Sequence, residues 1–185
     1  MDMFPEGGGA LGKGYAYRAA KIYELLFPHN PVNFVNRGVS GDRCQNLLER
    51  YQKDILEVKP DYLSIMIGIN DTWRRYDSND ITSKEQFETN LTELLEKIKK
   101  DLPDTKLMLI RAVLLPQIQK KKSSGSDLGP KIVVVRRLAR KYGCISANEW
   151  NPDQQPHRES AYRRVGATMA CIFLILAVQL WQRNI

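Results

Sequence analysis

The spacing of hydrophobic positions changes several times along the chain, and each change marks an element. Tyr15, Ala16, Ala19, Ala20, Ile22, Tyr23, Leu25 and Leu26 recur at helical intervals until Pro28 interrupts them, which predicts a first helix after a flexible, glycine-rich lead-in over residues 1–11. Val32 to Val35 then reads as a short strand. It runs into Asn36-Arg37-Gly38-Val39-Ser40-Gly41-Asp42, where two glycines predict a tight loop with exposed backbone N–H groups. Asp42 is placed to cap a helix from about Arg43 to Leu56. Tyr62 to Ile67 is an apolar run broken only by Ser64, entered through Pro60-Asp61 and left through Gly68. That pattern suits a strand buried on both faces of a parallel sheet.

After this strand, Thr72 to Asp80 is polar and aromatic and reads as a loop over the sheet edge. Thr82 and Glu85 form a capping box for a helix whose apolar face is Phe87, Leu91, Leu94, Leu95 and Ile98, closed by Pro103. Lys106 to Leu115 is the next strand. Gln117 to Gly129 reads as a long polar loop, and Pro130 as the first turn of a helix with Ile132, Val135, Leu138, Ala139 and Tyr142 on its apolar side and Gly143 just past its end. Cys144 to Ala147 is a short strand candidate. Strands alternating with helices of these lengths predict a single doubly wound α/β domain built on a parallel sheet.

The tail departs from this alternation. Asn148 to Arg164 is polar without a period, and Val165 to Trp181 is apolar except for Gly166, Thr168 and Gln179. Two readings of the second stretch are open, a C-terminal helix sunk in the core and a membrane anchor at the short end of what can span a bilayer.

Composition adds little to the fold and narrows the chemistry. The chain has 185 residues and a formal net charge of +7, but its Lys and Arg are dispersed apart from Lys120-Lys121-Lys122, so no nucleic-acid partner is expected. Its three cysteines, Cys44, Cys144 and Cys171, are far apart and have no His at ligand spacing, so neither a structural metal nor a disulfide framework is expected. The first residues lack a basic and then apolar secretory pattern, which gives a cytoplasmic expectation.

Candidate chemistry gathers where strands of a parallel sheet end, because open α/β sheets bind ligands outside the carboxyl ends of their strands. Gly41 follows the first strand and Asn70 the second. A backbone N–H at Gly41 and the side-chain amide of Asn70 can converge on one oxygen, and two such donors are the parts of an oxyanion hole. Taken singly, Gly41 can equally serve a turn and Asn70 a loop cap.

Two blocks carry a family resemblance, Asn36-Arg37-Gly38-Val39-Ser40-Gly41-Asp42 and Ile67-Gly68-Ile69-Asn70-Asp71-Thr72-Trp73. They resemble the second and third blocks of the SGNH hydrolases, or GDSL-type esterases. The likeness runs from about Gly12 to Gly143, and Trp73-Arg74-Arg75-Tyr76-Asp77 is similar to a subgroup related to carbohydrate acetylesterases. The resemblance implies a three-layer α/β/α, flavodoxin-like fold and hydrolysis of carboxylic esters through a Ser activated by a His held by an Asp. It implies no metal or cofactor, and a small-molecule or carbohydrate ester as substrate. It gives Gly41 and Asn70 the oxyanion roles and makes Asp71 a shaper of the loop.

The sequence departs from the family pattern at both ends. No Gly-Asp-Ser block with the nucleophile is present, and the first Ser is Ser40, inside the second block. The strand that carries that block is central in the family, between the strands corresponding to Val32–Val35 and Tyr62–Ile67, and without it both neighbours lose their shared partner. Near the tail, Asp153-Gln154-Gln155-Pro156-His157 is one residue longer than the family's Asp-x-x-His. His29 follows the first helix and lies on no carboxyl edge. Read one base earlier, codons for Thr168 to Ala177 can spell Asp-Gly-Val-His with a later Gly. The expectation is therefore a truncated or frame-disrupted member, weakly active or inactive, with a non-catalytic binding module and a tail-anchored membrane protein as alternatives.

Overall fold

A computed structural model of the chain describes residues 11, 15–112, 124–146 and 173–179. The elements are α1 (Tyr15–Leu26), β1 (Val32–Asn36), α2 (Cys44–Glu49), a π-helical turn (Gln52–Leu56), β2 (Tyr62–Ile67), α3 (Ile69–Asp77), α4 (Lys84–Asp101), β3 (Lys106–Arg111), α5 (Ser124–Lys141), β4 (Ile145–Ser146) and β5 (Phe173–Gln179). The sheet order is β1-β5-β2-β3-β4, with β2, β3 and β4 parallel.

Apolar alternation on β2 and β3 sends Leu63, Ile65, Ile67, Leu107 and Leu109 to one face, where they meet Leu47 and Ile55, Phe87 to Ile98 of α4, and Val134 to Ala139 of α5. Val35 of β1 packs against this same core, whereas its neighbour Phe34 stands 5.6 Å, ring centre to ring centre, from Tyr23 of α1. Successive strand residues point to opposite faces, so α1 covers the other side and the layers are α/β/α.

The sheet is not all parallel. β5 lies between β1 and β2 and runs antiparallel to both, with Asn33 opposite Val178 and Ile65 opposite Leu174. The place that the resemblance assigns to a first central strand is thus filled by the tail. This corrects the reading of the tail as a helix: Phe173–Gln179 is a strand, and two strands with open inner edges supply the reason, since their buried backbone groups need partners. No described helix is long and apolar enough to cross a membrane. The segments 113–123, 147–172 and 180–185 lie outside the described residues, and with them the Asp153 to His157 stretch and Thr168 to Ile172.

Other boundaries shift for identifiable reasons. Thr72 to Asp80 is not a loop, because α3 begins at Ile69 directly after β2 and continues to Asp77. The cap of α4 is Ser83, whose hydroxyl accepts the Gln86 N–H at 3.0 Å, in place of the expected Thr82 and Glu85. Thr82 instead accepts from Arg43 at 3.4 Å. Pro130 lies inside α5, where it forgoes one backbone bond, and the helix starts six residues earlier at Ser124. The long helix expected from Arg43 to Leu56 is α2 followed by the π turn.

Candidate active site at the carboxyl edge

The strand β2 ends at Gly68, whose φ of +113° is strained for any side chain, and an added Cβ would also press on the Phe87 ring at 3.2 Å. This sharp exit starts α3 with no intervening loop and places Ile69, Asn70, Asp71 and Thr72 inside the protein, all buried. Thr72 turns its hydroxyl back to the Gly68 carbonyl at 3.2 Å, closing the turn. A helix whose first turn is polar and buried must satisfy those groups from elsewhere in the chain.

The loop after β1 does so. Asn70 Nδ2 donates to the carbonyl oxygen of Asp42 at 3.0 Å, so the Asn70 amide meets the backbone one residue beyond Gly41. A carbonyl oxygen only accepts, which fixes the orientation of the amide, and its second hydrogen is directed by the same geometry. Gly41 itself has a φ of +91°, so the backbone calls for glycine, and the end of the Arg74 side chain, Nη2, lies 3.0 Å from where a Cβ would stand. Gly38, the other loop glycine, donates its N–H to Asn36 Oδ1 at 3.0 Å, and Asn36 so tightens the turn.

Asp42 does not cap α2 as expected. Its carboxylate accepts from Arg50 Nε at 2.9 Å, and Arg50 also binds Asp54 and the Arg37 carbonyl. Burial raises the Asp42 pKa above the usual carboxylate value, against the pull of Arg50. The cap comes from a residue 27 positions later: Cys44 N–H, at the start of α2, points to Asp71 Oδ1 and Oδ2 at 3.2 and 3.3 Å. Asn46 Oδ1 accepts the Arg43 N–H at 2.9 Å.

Asp71 is wholly excluded from water, and burial pushes its pKa up to about 6, while the Cys44 N–H, Lys131 and Arg43 act in the opposite direction. Burial likewise pushes the Cys44 thiol well up, so it is neutral and no nucleophile. Lys131, itself buried, is paired with Asp127 at 2.8 Å, and Arg75 stands 3.8 Å from Asp127.

Asn70 therefore meets the loop that carries Gly41, and two residues that the sequence reading gave no site contact, Arg74 and Cys44, adjoin it. Ser40 is exposed beside Gly41. His29 is exposed in the turn before β1, at the edge of the sheet opposite to this site. Among the described residues no group of three or more His, Cys, Asp and Glu is arranged to hold a metal.

The sequence model of the GDSL-like lipase/acylhydrolase family matches residues 4–166. The chain belongs to this family. An acetylxylan esterase from Geobacillus stearothermophilus is 37% identical over 102 residues, 51% of this chain and 47% of that protein. An uncharacterized lipoprotein, YqeF, from Bacillus subtilis is 33% identical over 69 residues, 37% of this chain and 28% of that protein. The chain thus spans about half the length, or less, of the curated relatives it matches.

Among solved structures, the acetylxylan esterase of Geobacillus stearothermophilus superposes with a TM-score of 0.68 at 25% identity, covering 86% of this chain and 69% of that one. A structure described as a GDSL-like lipase from Parabacteroides merdae gives a TM-score of 0.59 at 28% identity, covering 71% and 59%. These likenesses agree with the α/β fold and with the SGNH resemblance carried by the two blocks.

Proposed function

We propose that this chain carries the oxyanion side of a carboxylic-ester hydrolase acting on acetyl esters of carbohydrate. One observation carries the reading: the Asn70 amide is held 3.0 Å from the Asp42 carbonyl, at the shoulder of Gly41, on the carboxyl edge of the sheet. When a nucleophile attacks an ester carbonyl, the carbonyl oxygen takes up negative charge. The Gly41 backbone N–H and the Asn70 amide are fixed donors for that charge, so they need no rearrangement as it forms. The acetyl and carbohydrate assignment rests on the acetylxylan esterases that the chain resembles in sequence and fold.

Within the 185 residues there is no Gly-Asp-Ser block, so turnover by this chain is expected to be weak. Oxyanion stabilisation and binding alone leave about 10³-fold over the uncatalysed rate. The test is hydrolysis of acetylated xylo-oligosaccharide and an aryl acetate by the chain and by Asn70→Ala. A loss on the order of 100-fold or more, down toward the uncatalysed rate, is the expected result. Turnover that survives the substitution overturns the assignment. Binding of the oligosaccharide without turnover by either protein would mark a non-catalytic binding module that has kept the crevice.

A further inference from the structure

We propose that Asp71 is the positioning residue of this site: its grip on the first turn of α2 sets where Gly41 and the Asn70 amide meet. The inference rests on reading Gly41 and Asn70 as donors to the ester oxygen, and its test below is independent of turnover.

Two consecutive residues of α3 hold the two ends of one short segment. Asn70 takes the Asp42 carbonyl at 3.0 Å, and Asp71 takes the Cys44 N–H with both carboxylate oxygens at 3.2 and 3.3 Å. Between the two anchored residues, Asp42 and Cys44, lies only Arg43, and Gly41 is the residue just before Asp42. Moving Cys44 relative to α3 therefore moves Gly41 relative to Asn70. The platform beneath is stiff, because α3 leaves β2 through the left-handed Gly68 with Phe87 against it, and Thr72 ties back to Gly68.

A carboxylate is a costly choice for such an anchor. Asp71 is fully buried, and an amide or hydroxyl could take a single N–H without bringing a charge into the interior. The carboxylate is distinguished by its two acceptor oxygens on one N–H and its charge among fixed neighbours. The charges that act on it are Lys131 of α5 and Arg43 just before α2, and these are paired in turn with Asp127, which Arg75 of α3 also approaches, and with Asp80. Asp42 stands with Arg50 on the near side, and from α2 the Cys44 thiol is neutral, with Glu93 of α4 acting on it. Because burial pushes Asp71 up to about 6, it is charged at neutral pH and loses that charge in mildly acidic solution, which makes the grip adjustable.

The experiment follows ¹⁵N–¹H resonances of the Asn70 side-chain amide and the Gly41 backbone amide in the full chain from about pH 5 to about pH 8, with Leu94 and Leu95 of α4 as folding references. Both signals are expected to move with a common midpoint near 6, and Asp71→Asn is expected to abolish that titration. Asp42→Asn serves as the control for the adjacent carboxylate and should leave the midpoint in place. Hydrogen exchange of the Asn70 amide is expected to quicken about 10-fold in Asp71→Asn and more in Asp71→Ala, with Leu94 unchanged.

Cys44→Pro removes the donated hydrogen from the opposite side, at a first helical position that tolerates proline, and should loosen Asn70 with Asp71 intact. It decides the matter if the Asp71 variants do not fold. Asn70 resonances unmoved by these substitutions, with the references native, would overturn the proposal. If instead Asn70 loosens as expected while turnover ignores Asn70→Ala, the positioning stands and the oxyanion reading fails.

Discussion

On one side of the sheet, Leu47 of α2 and Phe87, Leu94, Leu95 and Ile98 of α4 are almost completely excluded from water. On the other, α1 and its following residue leave Ile22, Leu25, Leu26 and Phe27 more than half exposed, and among the described side chains of that helix Ala16 and Ala20 are the fully covered ones. The two sides share a sheet but not a packing density. The candidate site belongs to the dense side: α2 begins there, α3 is braced by Phe87 through Gly68, and α5 supplies Lys131 and Asp127. Rigidity is what fixed hydrogen-bond donors require, and it is found where the donors are.

The largest test of this contrast is Phe87→Ala. Removing a fully buried ring that also backs the Gly68 turn is expected to destabilise by about 3–5 kcal/mol, measured by urea unfolding. A cost near that of a surface change would show that the dense side is not the stabilising one.

An intermediate effect is expected from pH. With its pKa pushed up to about 6, Asp71 in the folded chain still holds a proton that the unfolded chain has released. Stability is therefore expected to fall as pH rises from about 4 to about 6 and to level off above, by up to roughly 3 kcal/mol for this group. Asp71→Asn should remove that contribution, and unfolding free energies of both proteins across the window check it. The smallest effect is expected at α1, where Leu25→Ser should change stability by no more than about 0.5 kcal/mol. A larger loss would mean that this helix face is covered.

Much of the fold was legible because apolar periodicity tracks burial. The strand Tyr62–Ile67 and the helix Lys84–Asp101 follow directly from it. The same rule fails at α3, whose buried first turn is Asn70, Asp71 and Thr72: polar residues made fit for the interior by bonds to Asp42, Cys44 and Gly68. Nothing local in the sequence reveals such bonds. The Asp42 cap failed for the same reason, since the Cys44 N–H at the start of α2 goes to Asp71, 27 residues beyond Cys44, while Asn46 takes the Arg43 N–H. At the tail, an apolar run is ambiguous between helix and strand, and the open edges of β1 and β2 decided it. The nearness of Asn70 to the loop after β1 was legible through the order of the two blocks. Arg74 against Gly41 was not, because a side chain's reach across a crevice leaves no periodic mark.

The placement of β5 has a consequence for how the molecule is assembled. Among the described strands, β1 pairs with β5 alone, so it is joined to β2, β3 and β4 only through residues 173–179. The sheet pairing of β1 therefore depends on the last of the described strands, while its other ties are the packing of Val35 on the shared core and the bonds of Asn70 and Asp71 to the residues after Gly41. A nascent chain can close β2 on β3 early, since these are neighbours in sequence as well as in space, but the sheet's interior is sealed from the far end. The middle of the sheet is therefore expected to close after its β2–β3 side, and a delay in residues 173–179 delays the pairing of β1.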